Sequence, residues 1–312
     1  MARIVTLTLN PAIDNSCEAE RVCPTQKTRT YNEQLQPGGG GVNVARVLKR
    51  LGANVHAIFL AGGATGQVLD ELLDRTGVSN TRIPILDDTR VSLTVVERST
   101  GQEYRFVPEG PELLEREWQA CLEILENVEC DYLVASGSLP RGVPYKFYAW
   151  AWEILRKRNI RFVLDTSGPE FTQCLARGGL FLIKPSSAEL EELVGRKLPT
   201  RSELADAAAH VVANGQAELV AVTLGTEGAI LADREGRLFV PAPKVETRSA
   251  VGAGDSFLAA MIHELSNGKN GRESFGLGVA AGAAAAMAHG SDLAHLRDME
   301  QLSKMVGEGE AA

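Results

Sequence analysis

These 312 residues predict an α/β fold: a mainly parallel sheet flanked by helices, with a small antiparallel sheet projecting from it as a lid. Three observations carry the prediction. From about Asp131 onward short apolar strands alternate with amphipathic helical patterns; two separate stretches read as paired strands with no crossover helix of their own; and two glycine-rich loops run straight into apolar helices. In chain order, Met1 to Asn10 alternates like a strand. Asp14 to about Gln36 is strand-like and polar-alternating, and so is Thr89 to Val107, where Ser99-Thr100-Gly101-Gln102 makes a hairpin-type turn. These two stretches supply the lid. Between them, Pro37-Gly38-Gly39-Gly40-Gly41 feeds a helix with Val42, Ala45, Val47, Leu48 and Leu51 at near-helical spacing, which ends near Gly52; a strand follows at Val55 to Ala61.

Farther on, Tyr132 to Ala135, Arg161 to Leu164, Phe181 to Ile183 and Leu219 to Val222 read as buried strands. Helical patterns separate them near Tyr145 to Lys157, Pro169 to Ala176, Ala188 to Val194 and Glu203 to Asn214. Such βαβ units bind ligands beyond the carboxyl ends of their strands, and polar residues mark those ends: Ser136-Gly137-Ser138, Asp165, Lys184 and Thr223 to Gly225. The last third is helical, over Ser256 to Ser266 and Glu273 to His289, and Gly307 to Ala312 reads as a frayed tail. An exposed sheet with one apolar face is expected to cover the active site and to pair with its copy in a homodimer.

Composition excludes several classes. The net charge of −8, with no basic run, argues against nucleic acid as a partner. No apolar run approaches the roughly 20 residues that span a bilayer, and the start lacks a cleavable signal pattern, so the expected compartment is the cytoplasm. The five cysteines are scattered without Cys-x-x-Cys, and the five histidines form no metal-binding pair.

Ser249-Ala250-Val251-Gly252-Ala253-Gly254-Asp255-Ser256 is the most telling stretch. Its glycines let main-chain amides converge on one anion at a helix start, and Asp255 stands among them as a base able to take a proton from a hydroxyl. That combination suits phosphoryl transfer to an alcohol. The same letters also fit a plain glycine-rich helix cap with Asp255 as a first-turn dipole residue. The cluster around Gly38 and Gly39 favours the first reading, because it lets a substrate lie against main chain while Asn43 offers an amide to sugar hydroxyls. Among the cations of the otherwise strand-like N-terminal third, Lys27, Arg29, Arg90 and Arg105 are the ones to watch for local anion binding, although any one of them taken alone reads better as a solvated strand charge.

Taken together, the two glycine motifs resemble the signature regions of the PfkB (ribokinase-like) carbohydrate kinases, and the similarity runs over essentially the whole chain as one kinase domain. The 6-phosphofructokinase branch matches best, through Thr6 to Asp14, Gly38 to Ala45, Tyr104 to Val107, Ser136 to Pro140 and Val251 to Asp255. Sister kinases acting on fructose 1-phosphate or tagatose 6-phosphate typically carry lysine at the third glycine; Gly40 stands there in this chain, which favours fructose 6-phosphate. The resemblance implies ATP and Mg²⁺ as cofactors, with Asp255 as the base at the C1 hydroxyl and the amides of Gly252, Ala253 and Gly254 holding the transferring phosphoryl group. It implies that Asp14, Gly38, Gly39 and Asn43 bind the sugar, with Lys27, Arg90, Arg105 and Ser138 near the sugar or its phosphate. On the nucleotide side it implies Lys184, Ser186, Thr223, Gly225 and Gly228, with Ala281 and Gly282 close to adenine. The family's Asn-x-x-Glu reads Ser186-Ser187-Ala188-Glu189 here, so Glu189 is expected to reach Mg²⁺ through water while a hydroxyl replaces the amide.

Rival readings are weaker. No Gly-x-x-x-x-Gly-Lys-Ser/Thr exists for a P-loop, and a dinucleotide site would need a third glycine after Gly38 and an acidic residue where Gly62-Gly63 stands. A non-catalytic sugar-phosphate sensor would not need Asp255. Tagatose 6-phosphate or fructose 1-phosphate is the alternative acceptor, since epimers differ only in where one hydroxyl points.

Overall fold

The protein is seen in a computed structural model that describes residues 2–307 and 309–312. The chain begins with β1 (Arg3–Thr8), whose Val5 and Leu7 are buried on one face of the main sheet and Ile4 on the other. It then leaves that sheet for β2 (Ala12–Ala19) and β3 (Thr30–Gly38), and returns through α1 (Gly40–Arg50), β4 (Asn54–Gly62), α2 (Gly63–Asp74) and β5 (Ser79–Ile85). A second excursion forms β6 (Arg90–Glu97) and β7 (Glu103–Phe106). From there strands and helices alternate: α3 (Glu115–Asn127), β8 (Tyr132–Ser136), α4 (Phe147–Leu155), β9 (Arg161–Asp165), α5 (Gly168–Leu175), β10 (Leu180–Ile183), α6 (Ser187–Val194), α7 (Arg201–Ala213) and β11 (Ala217–Thr223). A hairpin of β12 (Gly228–Asp233) and β13 (Gly236–Pro241) leads to α8 (Ala253–Ser266), α9 (Gly271–Ala286), α10 (Leu296–Ser303) and β14 (Glu310–Ala311).

The main sheet has ten strands in the order β14-β13-β12-β11-β10-β9-β8-β1-β4-β5, parallel from β11 to β5 and antiparallel at the β12 to β14 edge. Helices α1, α2, α8, α9 and α10 bury one face, and α3 to α7 the other. Strand order reverses beside β1, which pairs with β8 on one side and β4 on the other, so the carboxyl ends of β1 and β8 flank the crevice where such sheets bind ligands. No helix among the described residues is long and apolar enough to cross a membrane. All five cysteines are free thiols.

The expected lid is a separate four-stranded sheet, β3-β2-β6-β7. Its β2–β3 and β6–β7 ladders are antiparallel, while β2 and β6 run parallel, because each leaves the carboxyl end of a parallel strand of the main sheet. Register sorts the lid into two faces. Asp14, Ser16, Gln36, Ser92, Thr94 and Arg105 share the face that packs toward the body, where Ser16 Oγ lies 2.7 Å from the position a Cβ on Gly290 would take. Ile13, Cys17, Leu35, Val91, Leu93 and Phe106 share the opposite face, which is covered at the stem, where Ile13 packs into the body's core, and open farther out, where Leu35 is 49% and Phe106 57% exposed.

Three details differ from the sequence reading. The tail is not simply frayed: Glu310 and Ala311 add a strand to β13, and Arg201 Nη1 donates to Glu310 Oε1 at 2.8 Å, while Glu308 of that segment lies outside the described residues. α9 stops at Ala286 rather than His289. Finally, α2, α3, α10 and the β12–β13 hairpin carry no counterpart in the sequence reading.

Candidate active site

The site is built at the head of α8. Gly252 sits at φ +69°, a left-handed conformation that favours glycine, and a Cβ there would also stand 2.3 Å from Leu293 Cδ2. Ser256 N bonds back to Gly252 O at 2.8 Å, so the preceding first-turn amides have no acceptor within the helix and are available to an anion. Asp255 projects from this turn, half-buried, and Asn43 Nδ2 donates to its Oδ2 at 2.9 Å from the first turn of α1. Burial above all, then the nearby Asp165 carboxylate, pushes the Asp255 pKa up to about 6, against the Asn43 bond and the Lys184 charge, with Asp14 adding to the rise. The carboxyl is therefore mostly ionised at neutral pH yet far more basic than a solvated aspartate.

Lys184, at the end of β10, is buried and pairs with Asp165 Oδ1 at 3.0 Å. Burial opposes its charge, but Asp165, Asp255 and Glu189 together hold its pKa above the ordinary lysine value. A Cβ on Gly254 would come within 3.1 Å of Lys184 Nζ, so the ammonium lies directly against the α8 loop. Ser136 Oγ donates to the other Asp165 oxygen at 3.0 Å. The sequence reading placed Asp165 only at a strand end; the structure makes it the partner that holds Lys184.

On the lid side, Gly38 closes over Asp14: a Cβ there would stand 2.1 Å from Asp14 Oδ2. Burial raises the Asp14 pKa, while Arg46, Arg90 and Arg105 pull it back. Arg90 is largely occupied in holding the lid stem, donating to Asn10 O at 2.8 Å and Pro108 O at 3.0 Å, whereas the Arg105 side chain is half exposed. Ser138 is exposed and accepts from Asn10 Nδ2 at 3.3 Å. The protomer does not bring Lys27 or Arg29 to this group. Both are exposed in the β2–β3 connection, a full strand length from Gly38. Gly39 has φ +102°, and a Cβ there would stand 2.9 Å from Pro11 Cα and 3.0 Å from Thr8 Cγ2.

Beyond Gly254 opens a cavity of about 410 Å³ lined by Thr223, Gly225, Gly228, Ala253, Gly254 and Gly282, among others. Most of the residues assigned to the nucleotide thus meet the α8 loop in one space. Ala281 does not line it; its side chain is fully buried in the core, and Val279, Ala283 and Ala286 form the wall instead. Ser186 and Glu189 cap α6 reciprocally, Ser186 N donating to Glu189 Oε2 at 2.7 Å and Ser186 Oγ at 2.9 Å, while Ser186 bridges to Thr223 at the cavity edge.

A sequence model described as pfkB family carbohydrate kinase matches residues 7–297. The chain belongs to this family of carbohydrate kinases. Its relatives include the ATP-dependent 6-phosphofructokinase isozyme 2 of Mycobacterium tuberculosis, 41% identical over 308 residues covering 98% of this chain and 90% of the relative. The protein of the same description from Escherichia coli K12 is 39% identical over 97% of this chain and 98% of its own. A crystal structure of Escherichia coli phosphofructokinase-2 in complex with fructose-6-phosphate superposes with a TM-score of 0.92 at 37% identity, covering 98% of this chain and 99% of that one. As a pfkB-family sugar kinase, the molecule has its two glycine-rich loops facing each other at the open end of the sheet.

Sequence reasoning missed Asn10 and Arg46. Asn10 lies within the Thr6 to Asp14 stretch that carries the resemblance, but no role was assigned to it. Arg46 carried a signal: it follows Val42 by four residues, so the helical spacing places a cation on the buried face of α1.

Proposed function

We propose that the chain transfers the γ-phosphoryl group of ATP to the C1 hydroxyl of fructose 6-phosphate, giving fructose 1,6-bisphosphate. The observation that carries this reading is the position of Asp255, a carboxyl with a pKa near 6 at the head of α8, between the cavity beyond Gly254 and the lid residue Asp14. Asp255 takes the hydroxyl proton as the oxygen attacks phosphorus. The amides of Gly252, Ala253 and Gly254, with Lys184 against them, hold the charge of the transferring group. Asp14, Asn43 and the main chain of Gly38 and Gly39 orient the sugar; Arg105 and Ser138 meet its phosphate.

Acceptor choice follows from crowding at Gly40. A Cβ there would stand 2.2 Å from Ser136 Oγ and 2.9 Å from the Ser136 carbonyl carbon, so this backbone has no room for a lysine at that position without a shift. That supports fructose 6-phosphate over tagatose 6-phosphate or fructose 1-phosphate. ADP release measured over a panel of ketose and hexose phosphates tests it: fructose 6-phosphate should give the highest kcat/KM, and a higher value for either alternative overturns the assignment.

Magnesium fits the donors present. One Glu189 oxygen is taken by Ser186, and no cluster of three ligating side chains exists among the described residues, which leaves an ion to be held by Glu189 through water and by the triphosphate itself. When bound, it would neutralise phosphate charge. The exposed part of the lid's apolar face supports pairing with a second copy, so Phe106→Asp should shift the protein toward monomer in sedimentation. Free thiols support a reducing compartment, the cytoplasm.

A further inference from the structure

We infer that Arg46 is a positioning residue: it fixes which way the Asn43 amide faces Asp255 and ties that orientation to the lid strand β3. The inference rests on Asp255 being the base. Arg46 lies in α1, buried, at 5% exposure. Its Nη1 donates to Asn43 Oδ1 at 3.2 Å and to Pro37 O at 2.7 Å, and its Nη2 donates to Gln36 Oε1 at 2.8 Å. The Asn43 Nδ2 then donates to Asp255 Oδ2. A guanidinium can only donate, so its bond to Asn43 admits one amide orientation, with the oxygen toward Arg46 and the NH₂ toward the carboxylate. The flipped amide would turn a carbonyl oxygen on Asp255 and an NH₂ on Arg46, losing both bonds.

The cost of keeping this cation argues that more than packing is at stake. Among the described residues Arg46 forms no salt bridge, its Nε has no hydrogen-bond partner, and burial pulls its pKa down to about 10. An apolar side chain would fill the same space without that penalty. What it could not do is bridge three acceptors at once, two of them on the last residues of β3 before the Gly38 turn. Through this fork the lid strand, the sugar-binding amide and the base share one hydrogen-bonded chain.

Asp255 is faced by Asp165 from β9, Lys184 from β10, Asp14 from β2 and Asn43 from α1. The Arg46 cation itself faces both Asp14 and Asp255, so Arg46→Met also removes a charge that favours their ionised forms, whereas Arg46→Lys keeps the charge and alters chiefly the Asn43 bond. That bond lowers the Asp255 pKa, so weakening it should move the acid limb of the kcat profile to higher pH. The test measures kcat, both KM values and the pH profile for Arg46→Met, Asn43→Ala, the double variant and Asp255→Asn, using ATP and the sugar phosphate turned over fastest. Arg46→Met should lower kcat at least about tenfold, leave the KM for ATP within about twofold, and shift the acid limb upward by about half a unit. In the Asn43→Ala background the same substitution should have little further effect. A limb that stays in place, or a loss that is fully additive with Asn43→Ala, would reduce Arg46 to a lid anchor and overturn the inference. If Arg46→Met does not fold, Arg46→Lys carries the test, since one ammonium cannot serve all three acceptors; an unshifted limb there overturns it equally. Should Asp255→Asn keep its activity, it is the base assignment that falls instead.

Discussion

The two glycine-rich loops look alike as letters and differ as objects. At the head of α1 the glycines are demanded by surrounding protein: a Cβ on Gly38, Gly40 or Gly41 would stand 2.1 to 2.5 Å from Asp14, Ser136 or Thr8, and at Gly41 the Leu7 carbonyl oxygen follows at 2.7 Å. At the head of α8, Gly252 is needed for its left-handed φ and its contact with Leu293, whereas Gly254 meets only the tip of Lys184, at 3.1 Å. In the first loop protein fills the space beside each missing Cβ while the Gly39 and Gly40 main chain stays partly exposed; the second is open on one side to a cavity and carries Asp255, the proposed base. Glycine richness alone therefore says little about catalysis. What decides is whether the space beside the missing Cβ is filled by the protein or left for a ligand.

The contrast would break most clearly at Asp255. Asp255→Asn should lower kcat at least about a hundredfold in a coupled assay while KM values change little, as for loss of a general base. A variant that kept most of its activity would make both loops structural. Next in size, Arg105→Ala should raise the KM for the sugar phosphate about tenfold and leave the KM for ATP within about twofold, if, as proposed, the lid meets the sugar phosphate and the cavity beyond Gly254 the nucleotide. Equal changes in both values would erase that division. A smaller effect separates the loops by stability: Gly41→Ala should cost about 1 to 3 kcal/mol in chemical denaturation, since the added methyl meets backbone, whereas Gly254→Ala should be far milder in the same measurement and should instead lower kcat. Smallest near neutrality is the pH effect. Asp255 must be ionised to accept a proton and its pKa lies near 6, so kcat should be nearly flat above pH 7, halve near pH 6, and fall about tenfold per unit below that.

Much of this was legible in the sequence, for identifiable reasons. Strands at the centre of a parallel sheet are apolar on both faces, which is why Tyr132 to Ala135 and Leu219 to Val222 stand out. Asp255, Asn43 and Asp14 sit in or beside local motifs, so each could be named before their meeting was seen. Helices α2 and α3 escaped: α2 leaves β4 directly through Gly62, and α3 follows Leu114, whose N–H donates to Glu117 Oε2 at 2.7 Å, but a missing side-chain cap is not the whole reason, since α1 and α8 also start without one and were read. The Asp165–Lys184 pair joins neighbouring strands 19 positions apart, a relation that exists only once β9 and β10 are in register. Ala281 adjoins the cavity-lining Gly282 but is itself buried: in an alanine-rich helix buried on most sides, composition does not say which alanine faces the cavity.

The lid joins the body through four covalent stems, before β2, after β3, before β6 and after β7, with a single residue, Gly39, between β3 and α1. A flap on one hinge swings freely, but a platform on four legs can only tilt. Any tilt would pull on the first turn of α1, where Asn43 bonds Asp255, because no loop lies between platform and helix to take up the strain.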